Sequence, residues 1–327
     1  MMKFSVRQTC LAVATAFFSL APGAHAGVVL EIPAATAGFT LTTYVDGFSP
    51  TGYCCGPLGV TFTSAGTVMV AEHRGDVRVF SHAGGQRAGD VAVAQNYGLY
   101  NGVGLAALGN YVYLAEQSAG RIVRLNNDGT YSADIVNVPA ATGLVANPVT
   151  SLLYSSGYGY GIYSIDPNAT TPTANLFKPG TYDGLALDLS NGIMYAAAGD
   201  NHVYGYSLSD ASQVFDSGYF PEGPDGIALG TGALAGKLFL NTTSGTVDSV
   251  DRATNARTLI ASGGSRGDFV AVAPNGTLLL TQTDQILRLT APSGSGFESG
   301  TPEPGTVVLL FSGLAALAVG RRRVTCG

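Results

Sequence analysis

The sequence predicts an all-β fold, a six-bladed β-propeller, and three observations carry that prediction. Six segments open alike, with a turn ending in Gly at positions 59, 102, 143, 184, 226 and 267, spaced by 43, 41, 41, 42 and 41 residues. Each segment then continues with short apolar strands separated by Gly or polar turns, and three or four such strands per roughly 40 to 45 residues is the signature of a propeller blade. Finally, the sixth segment ends at Thr290 without a fourth strand, and a spare strand, Phe39 to Val45, lies just before the first. An N-terminal strand that completes the last blade closes the ring and removes two exposed edges.

The elements follow in order. Lys3 and Arg7 precede an apolar run, Leu11 to Leu20, and then Ala24-His25-Ala26, the small-x-small pattern of a signal peptidase site. Residues 1–26 are therefore read as a signal peptide, and 27–291 as the propeller. Val28 to Ile32 is read as a small extra strand on or across the last blade. The six blades begin at Gly56-Pro57-Leu58-Gly59, Tyr100-Asn101-Gly102, Ala141-Thr142-Gly143, Tyr182-Asp183-Gly184, Pro224-Asp225-Gly226 and Ser265-Arg266-Gly267. Their second strands centre on 67–71, 111–115, 152–155, 193–197, 237–241 and 277–281. Residues 292–305 are read as a flexible linker, because Pro292-Ser293-Gly294-Ser295-Gly296 is rich in turn formers. Residues 306–320 are apolar, and 321–327 form a basic tail expected on the cytoplasmic side. At about 1.5 Å per residue the 306–320 run spans about 22 Å, short of the roughly 30 Å hydrocarbon core, which makes it a marginal anchor.

Pro302-Glu303-Pro304, the short apolar helix and Arg321-Arg322-Arg323 together resemble the bacterial PEP-CTERM sorting tail, over roughly residues 301 to 323. That resemblance implies handling by an exosortase-type sorting transpeptidase and a single transmembrane sorting helix; Val324 to Gly327, beyond the arginines, depart from it. An ordinary retained anchor helix is the alternative. The propeller repeats themselves, such as Gly-Leu-Ala-Leu-Asp at 184–188, Gly-Ile-Ala-Leu at 226–229 and Gly-Arg-Ile-Val-Arg-Leu at 120–125, resemble NHL and gluconolactonase/paraoxonase-like propellers. The expected destination is the cell envelope or the exterior, after export across the inner membrane.

Charged residues make up 12% of the chain, against a usual value of about 25%. Loss of Lys3, Arg7 and the three tail arginines leaves 11 basic against 22 acidic residues, a balance near −11. Such an acidic surface argues against nucleic acid as a partner. Of four cysteines, Cys10 lies in the signal and Cys326 in the tail, which leaves adjacent Cys54 and Cys55. A strained ring between them, a partner in trans, a bound ligand and free thiols all stay open.

The residue before each repeat glycine is expected near one mouth of the axis: Leu58, Asn101, Thr142, Asp183, Asp225 and Arg266. Oxygen-bearing side chains converging there suit calcium or magnesium. The lactonase resemblance makes Asn101, Asp183 and Asp225, with Asp268 in reserve, candidate ligands of a calcium ion that polarises a lactone carbonyl and acidifies a water. Leu58 stands where that pattern expects a glutamate. Asn and Asp before Gly are also favoured by tight turns, which explains the same residues without a metal. Glu72 and Glu116 recur at one blade position near Arg74 and Arg121 and read as turn or ion-pair anchors. His73, His82 and His202 read as solvated surface residues. Tyr154, Tyr158, Tyr160 and Tyr163, interleaved with Gly157, Gly159 and Gly161, form either a glycan or partner surface or a hairpin packed by aromatic pairs.

The function expected from this reading is a non-catalytic binding or scaffold protein associated with extracellular matrix or exopolysaccharide, with polysaccharide or envelope proteins as partners. The alternative is a calcium-dependent lactonase or esterase.

Overall fold

A computed structural model describes residues 27–52 and 54–298. The residues read as a signal peptide, the Pro302-Glu303-Pro304 motif, the 306–320 segment and the 321–327 tail lie outside those residues. Among the described residues no helix is long and apolar enough to cross a membrane.

Six antiparallel sheets stand around an axis. Blade 1 is Pro57–Phe62, Val68–Glu72, Asp76–Phe80 and Val93–Asn96; blade 2 is Leu105–Leu108, Tyr111–Glu116, Arg121–Leu125 and Tyr131–Asn137. Blade 3 is Ala141–Asn147, Leu152–Gly157, Gly161–Ile165 and Ala174–Lys178; blade 4 is Tyr182–Asp188, Ile193–Ala198, Val203–Ser207 and Gln213–Asp216. Blade 5 is Pro224–Gly232, Lys237–Thr242, Val247–Asp251 and Arg257–Ser262. Blade 6 contributes Val270–Val272, Leu278–Thr281 and Ile286–Thr290 and takes its fourth strand, Thr40–Asp46, from the N-terminal side, in the register Leu41 opposite Leu289. The first strands touch one another in sequence and the last touches the first, so the ring is closed.

Because each sheet is covered on both faces, its middle strands are apolar on both faces. Val68-Met69-Val70-Ala71 is wholly buried. The core is accordingly divided into wedges, one between each pair of neighbouring blades. Met69 and Val77 meet Leu114 and Val123 between blades 1 and 2, Tyr154 and Ile162 meet Met194 and Tyr206 between blades 3 and 4, and Phe239 meets Leu278 and Leu289 between blades 5 and 6.

The glycine period has a physical cause that differs from turn chemistry. These glycines lie at or near the inner-strand starts, without positive φ, and several face the backbone of the next blade. A Cβ on Gly143 would lie 2.1 Å from the Asp183 carbonyl oxygen, one on Gly184 1.9 Å from that of Asp225, and one on Gly226 2.4 Å from that of Asp268. Only a residue without a side chain lets six inner strands crowd one axis at this spacing.

Two segments differ from the sequence reading. Val29–Leu30 pairs with Arg257–Ser262 at the outer edge of blade 5, not with blade 6, and a short helix, Ile32–Ala37, follows it. Pro33 in its first turn and Gly38 at φ 99 after its end explain the helix, since proline suits that first turn and glycine the left-handed cap. Within the segment read as a flexible linker, Ser295–Glu298 forms a strand against Leu229–Gly232. Phe297, buried, sets its ring edge-on to Phe239 at 4.9 Å and holds the segment down. The closing strand's outer edge is shielded by Gln86–Arg87, which pairs with Val45 and Asp46 in parallel.

Candidate functional site

The axis is not an open tunnel. Below the mouth, Leu105, Leu144, Leu185, Ile227 and Phe269 fill it and leave a cavity of about 30 Å³. What remains is a recess of about 300 Å³ on the blade 2 to blade 6 side of the mouth. Its charged floor is Asp183, Asp225 and Arg266, and Gln117, Tyr158, Asn201 and Thr243 form its walls.

The floor is built from inner-strand starts. Ser156 Oγ donates to the Asp183 carbonyl at 2.7 Å and accepts from the Gly143 N–H at 2.7 Å, which ties blades 3 and 4 together under the recess. Asn241 Nδ2 donates to the Asp268 carbonyl at 2.9 Å, tying blade 5 to blade 6. With those backbones fixed, the carboxylates of Asp225 and Asp268 meet Arg266. Arg266 donates to Asp268 Oδ1 from Nε at 2.9 Å and from Nη2 at 2.6 Å, and Nη2 lies 3.4 Å from Asp225 Oδ2. Asp225 is 2% exposed, and its Oδ1 has no protein partner.

Three carboxyls against one guanidinium cannot all ionise in so dry a place. Burial, then the neighbouring Asp268 charge, pushes Asp183 up to about 7 from its ordinary 3.8, against the opposing pull of Arg266. Burial and then the charges of Asp183 and Asp268 hold Asp225 well above the usual carboxylate range. Arg266, enclosed by acids, stays charged; those acids raise its pKa despite its burial. The floor is thus an Arg266–Asp268 salt bridge beside two carboxyls, Asp183 and Asp225, that both hold their protons more tightly than an ordinary aspartate.

The four residues expected to ligate a metal part company here. Asp183, Asp225 and Asp268 come together. Asn101 spends its side chain on backbone groups: Nδ2 donates to the Tyr97 carbonyl at 3.0 Å and Oδ1 accepts from the Ala119 N–H at 2.9 Å. Arg266 supplies, from within the chain, the positive charge that the carboxylates require. A divalent ion does not fit this arrangement while that guanidinium stays, and Leu58 offers no ligand from blade 1. The sequence shows an arginine at the equivalent position of blade 6, and the fold turns its guanidinium onto Asp225 and Asp268.

Other candidates also separate. Tyr154 is buried and packs edge-on against Phe177 at 5.5 Å, and Tyr163 is half-buried in the wedge between blades 2 and 3. Tyr158 and Tyr160 are exposed on the hairpin turn, and Tyr158 reaches the recess. Tyr154 lies in the middle strand Leu152–Gly157, buried along nearly its whole length, whereas the Gly159 turn carries Tyr158 and Tyr160 out. Glu72 pairs with Arg78 at 2.6 Å, not with Arg74, which turns to Asp76 at 2.9 Å; Glu116 pairs with Arg121. Both glutamates are 1% exposed and lie away from the recess.

His82 sets its ring 5.7 Å from that of Phe62 at 57°, and His202 meets Asp216 at 2.7 Å. His73, expected on the surface, is instead wedged at the blade 1 side of the mouth, edge-on to Tyr100 with ring centroids 4.7 Å apart. Beside it Cys54 and Cys55 form a disulfide with each other, and Leu58, Val103 and Phe269 pack around them. Sequence spacing gave no signal of that grouping, because His73 reaches the cysteines through contacts made in three dimensions, among them the hydrogen bond from the His73 N–H to the Gly56 carbonyl at 2.8 Å.

No family model and no curated protein sequence matches this chain. Solved structures do. A gluconolactonase from Xanthomonas campestris superposes with a TM-score of 0.64 at 14% identity, over 83% of this chain and 97% of its own. A glucose dehydrogenase-type oxidoreductase from Thermus thermophilus gives 0.58 at 18% identity, over 77% and 100%. A streptogramin B lyase gives 0.50 at 13% identity, over 77% and 98%. At such identities the likeness is one of fold, and the six-bladed propeller is the architecture this chain shares with them.

Proposed function

We propose that this chain is an exported, envelope-held propeller that binds neutral saccharide or polyol groups of matrix polysaccharide in the channel-mouth recess. One observation carries the reading: Arg266 sits clamped against Asp225 and Asp268, where a metal-dependent hydrolase needs its divalent ion. A recess that mixes a fixed guanidinium, an unpartnered carboxyl oxygen, amides and hydroxyls offers donors and acceptors suited to a hydroxyl-rich ligand. The Tyr158 ring at its wall adds an apolar face on which a sugar ring stacks. Export and envelope retention rest on the sequence at the two ends, the signal-like residues 1–26 and the PEP-CTERM-like tail from Pro302 to Arg323, with an exosortase-type transpeptidase as the partner that handles the tail.

A second reading is favoured by Asp183. A carboxyl poised at about 7 beside a second carboxyl held above the usual range is the arrangement a general base and acid need, so metal-independent opening of a lactone by water is the rival activity. The deciding experiment is calorimetric titration of the full chain with calcium and with neutral oligosaccharides, run beside a lactone-hydrolysis assay across pH 5 to 9. Saccharide binding that is lost in Asn201→Ala, without calcium binding or turnover, supports the binding module. Turnover that rises with an inflection near 7 and disappears in Asp183→Asn replaces it with the hydrolase. Stoichiometric calcium binding would overturn both.

A further inference from the structure

The mouth holds a second cluster, on the blade 1 side, made of residues that do not line the recess. The sulfurs of Cys54 and Cys55 and a ring nitrogen of His73 all lie within 4.8 Å of one another. Around them the backbone is tied down. Thr283 Oγ1 donates to the Cys54 carbonyl at 2.6 Å, the Thr51 N–H donates to the Cys55 carbonyl at 2.8 Å, and the His73 N–H donates to the Gly56 carbonyl at 2.8 Å. The sulfurs and the imidazole are therefore carried on fixed supports from three points of the ring.

The imidazole is oriented as well. Thr51 Oγ1 lies 3.0 Å from the Cys55 carbonyl and 2.8 Å from His73 Nδ1. When its single hydrogen goes to the carbonyl, the hydroxyl oxygen accepts from Nδ1–H, and in that tautomer Nε2 keeps its lone pair. An imidazole whose Nδ1–H is held by a second group, with Nε2 open, is the usual state of a histidine prepared to ligate a metal.

We propose that Cys54, Cys55 and His73 form a redox-gated site for a thiophilic divalent cation of the zinc class. In the disulfide form the sulfurs are bonded to each other and the site is shut. An external dithiol reductant of the thioredoxin type opens it: the disulfide gains two electrons and two protons and becomes two thiols, and the reductant leaves as its own disulfide. Cation binding then releases two protons, as two thiolates and Nε2 donate to the metal and water takes the fourth position. With metal–sulfur bonds of about 2.3 Å and a metal–nitrogen bond of about 2.0 Å, tetrahedral ligand atoms stand about 3.5 to 3.8 Å apart. That separation lies inside the 4.8 Å within which the fold already holds these three side chains. Two soft thiolates and one imidazole select zinc or its congeners over calcium or magnesium.

The test uses the full chain with Cys10→Ser and Cys326→Ser, so that Cys54 and Cys55 are its only cysteines. Phosphine-reduced and oxidised samples are titrated with cobalt(II) without oxygen, and zinc is then added as competitor. The reduced chain is expected to take up one cobalt with a thiolate-to-metal charge-transfer band and tetrahedral visible absorption, both erased by zinc; the oxidised chain is expected to show neither. His73→Ala should lose the tetrahedral spectrum, and Thr51→Val should weaken binding about 10- to 100-fold through loss of imidazole orientation. Cys55→Ser should abolish binding, and alkylation of the reduced wild-type pair gives the same block if that variant does not fold. The proposal fails if the reduced chain binds no cobalt, if oxidised and reduced chains bind alike, or if His73→Ala leaves spectrum and affinity unchanged.

Discussion

Asp183→Asn should stabilise the protein, and only at higher pH. In the folded chain Asp183 titrates at about 7, whereas its ordinary value is 3.8. Between those pH values the native state holds a proton that the unfolded state has released, so stability falls as pH rises through the window. Below 3.8 both states are protonated and nothing is lost; above about 7 the loss is complete. At about 1.4 kcal/mol for each tenfold change in proton affinity, the full loss is about 4 kcal/mol. Asp183 keeps some contact with solvent in the recess, so about half of that ceiling is expected to be realised. Asparagine has nearly the same shape and carries no charge, and it also removes the charge that pushes Asp225 upward. Urea unfolding of both proteins at pH 4, 6 and 8 measures the difference: close to zero at pH 4 and about 2 kcal/mol in favour of the variant at pH 8. A difference that does not change with pH, or a wild type more stable than the variant at pH 8, would refute the electrostatic account of the recess floor.

Three further outcomes test the architecture. Gly184→Ala places a Cβ 1.9 Å from the Asp225 carbonyl oxygen, so it should cost about 3 kcal/mol or more, whereas Gly89→Ala, with open space around it, should change the melting temperature little. Thr42→Pro sits in the closing strand opposite Arg288 and should cost about 3 kcal/mol, with hydrogen exchange accelerating in Ile286–Thr290 before blades 2 to 4. Arg78→Met leaves the buried Glu72 carboxylate without its cation and should cost about 3 to 5 kcal/mol by denaturant unfolding at pH 8. Because burial already raises Glu72, the loss should shrink at pH 4, where the carboxyl takes a proton.

The ring was legible because its geometry imposes a repeated steric demand. Most of the repeat glycines must face the backbone of the next blade, and the resulting period survives in sequence even where the flanking residues do not. The closing strand was legible for a similar reason, as a strand without a blade next to a blade without a strand. The recess was only half legible. Asp183, Asp225 and Asp268 could be placed at the mouth, but the group they neutralise is set by the direction in which Arg266 leaves blade 6, and a one-dimensional pattern does not carry direction. Asn101 shows the complementary difficulty, since the Tyr97 carbonyl before it and the Ala119 N–H, in the turn between Tyr111–Glu116 and Arg121–Leu125, absorb both ends of its amide. Ser295–Glu298 was hidden by composition: Gly and Ser signal freedom, and the single Phe297 that removes it was outweighed.

The strand that completes blade 6 also sets a clock on biogenesis. Leu41 pairs with Leu289, 248 positions later in the chain. At about 5 to 20 residues per second of synthesis, roughly 12 to 50 seconds separate the appearance of the two partners. Through that interval Tyr44 and Val45, wholly buried in the finished ring, have no blade to enter, and the apolar side of blade 1 waits with them. Blades 2 to 5 are each local hairpins and need not wait. Folding of this molecule should therefore end with a slow closure step of high contact order, during which one apolar flank is open to chaperones or to a second copy of the chain.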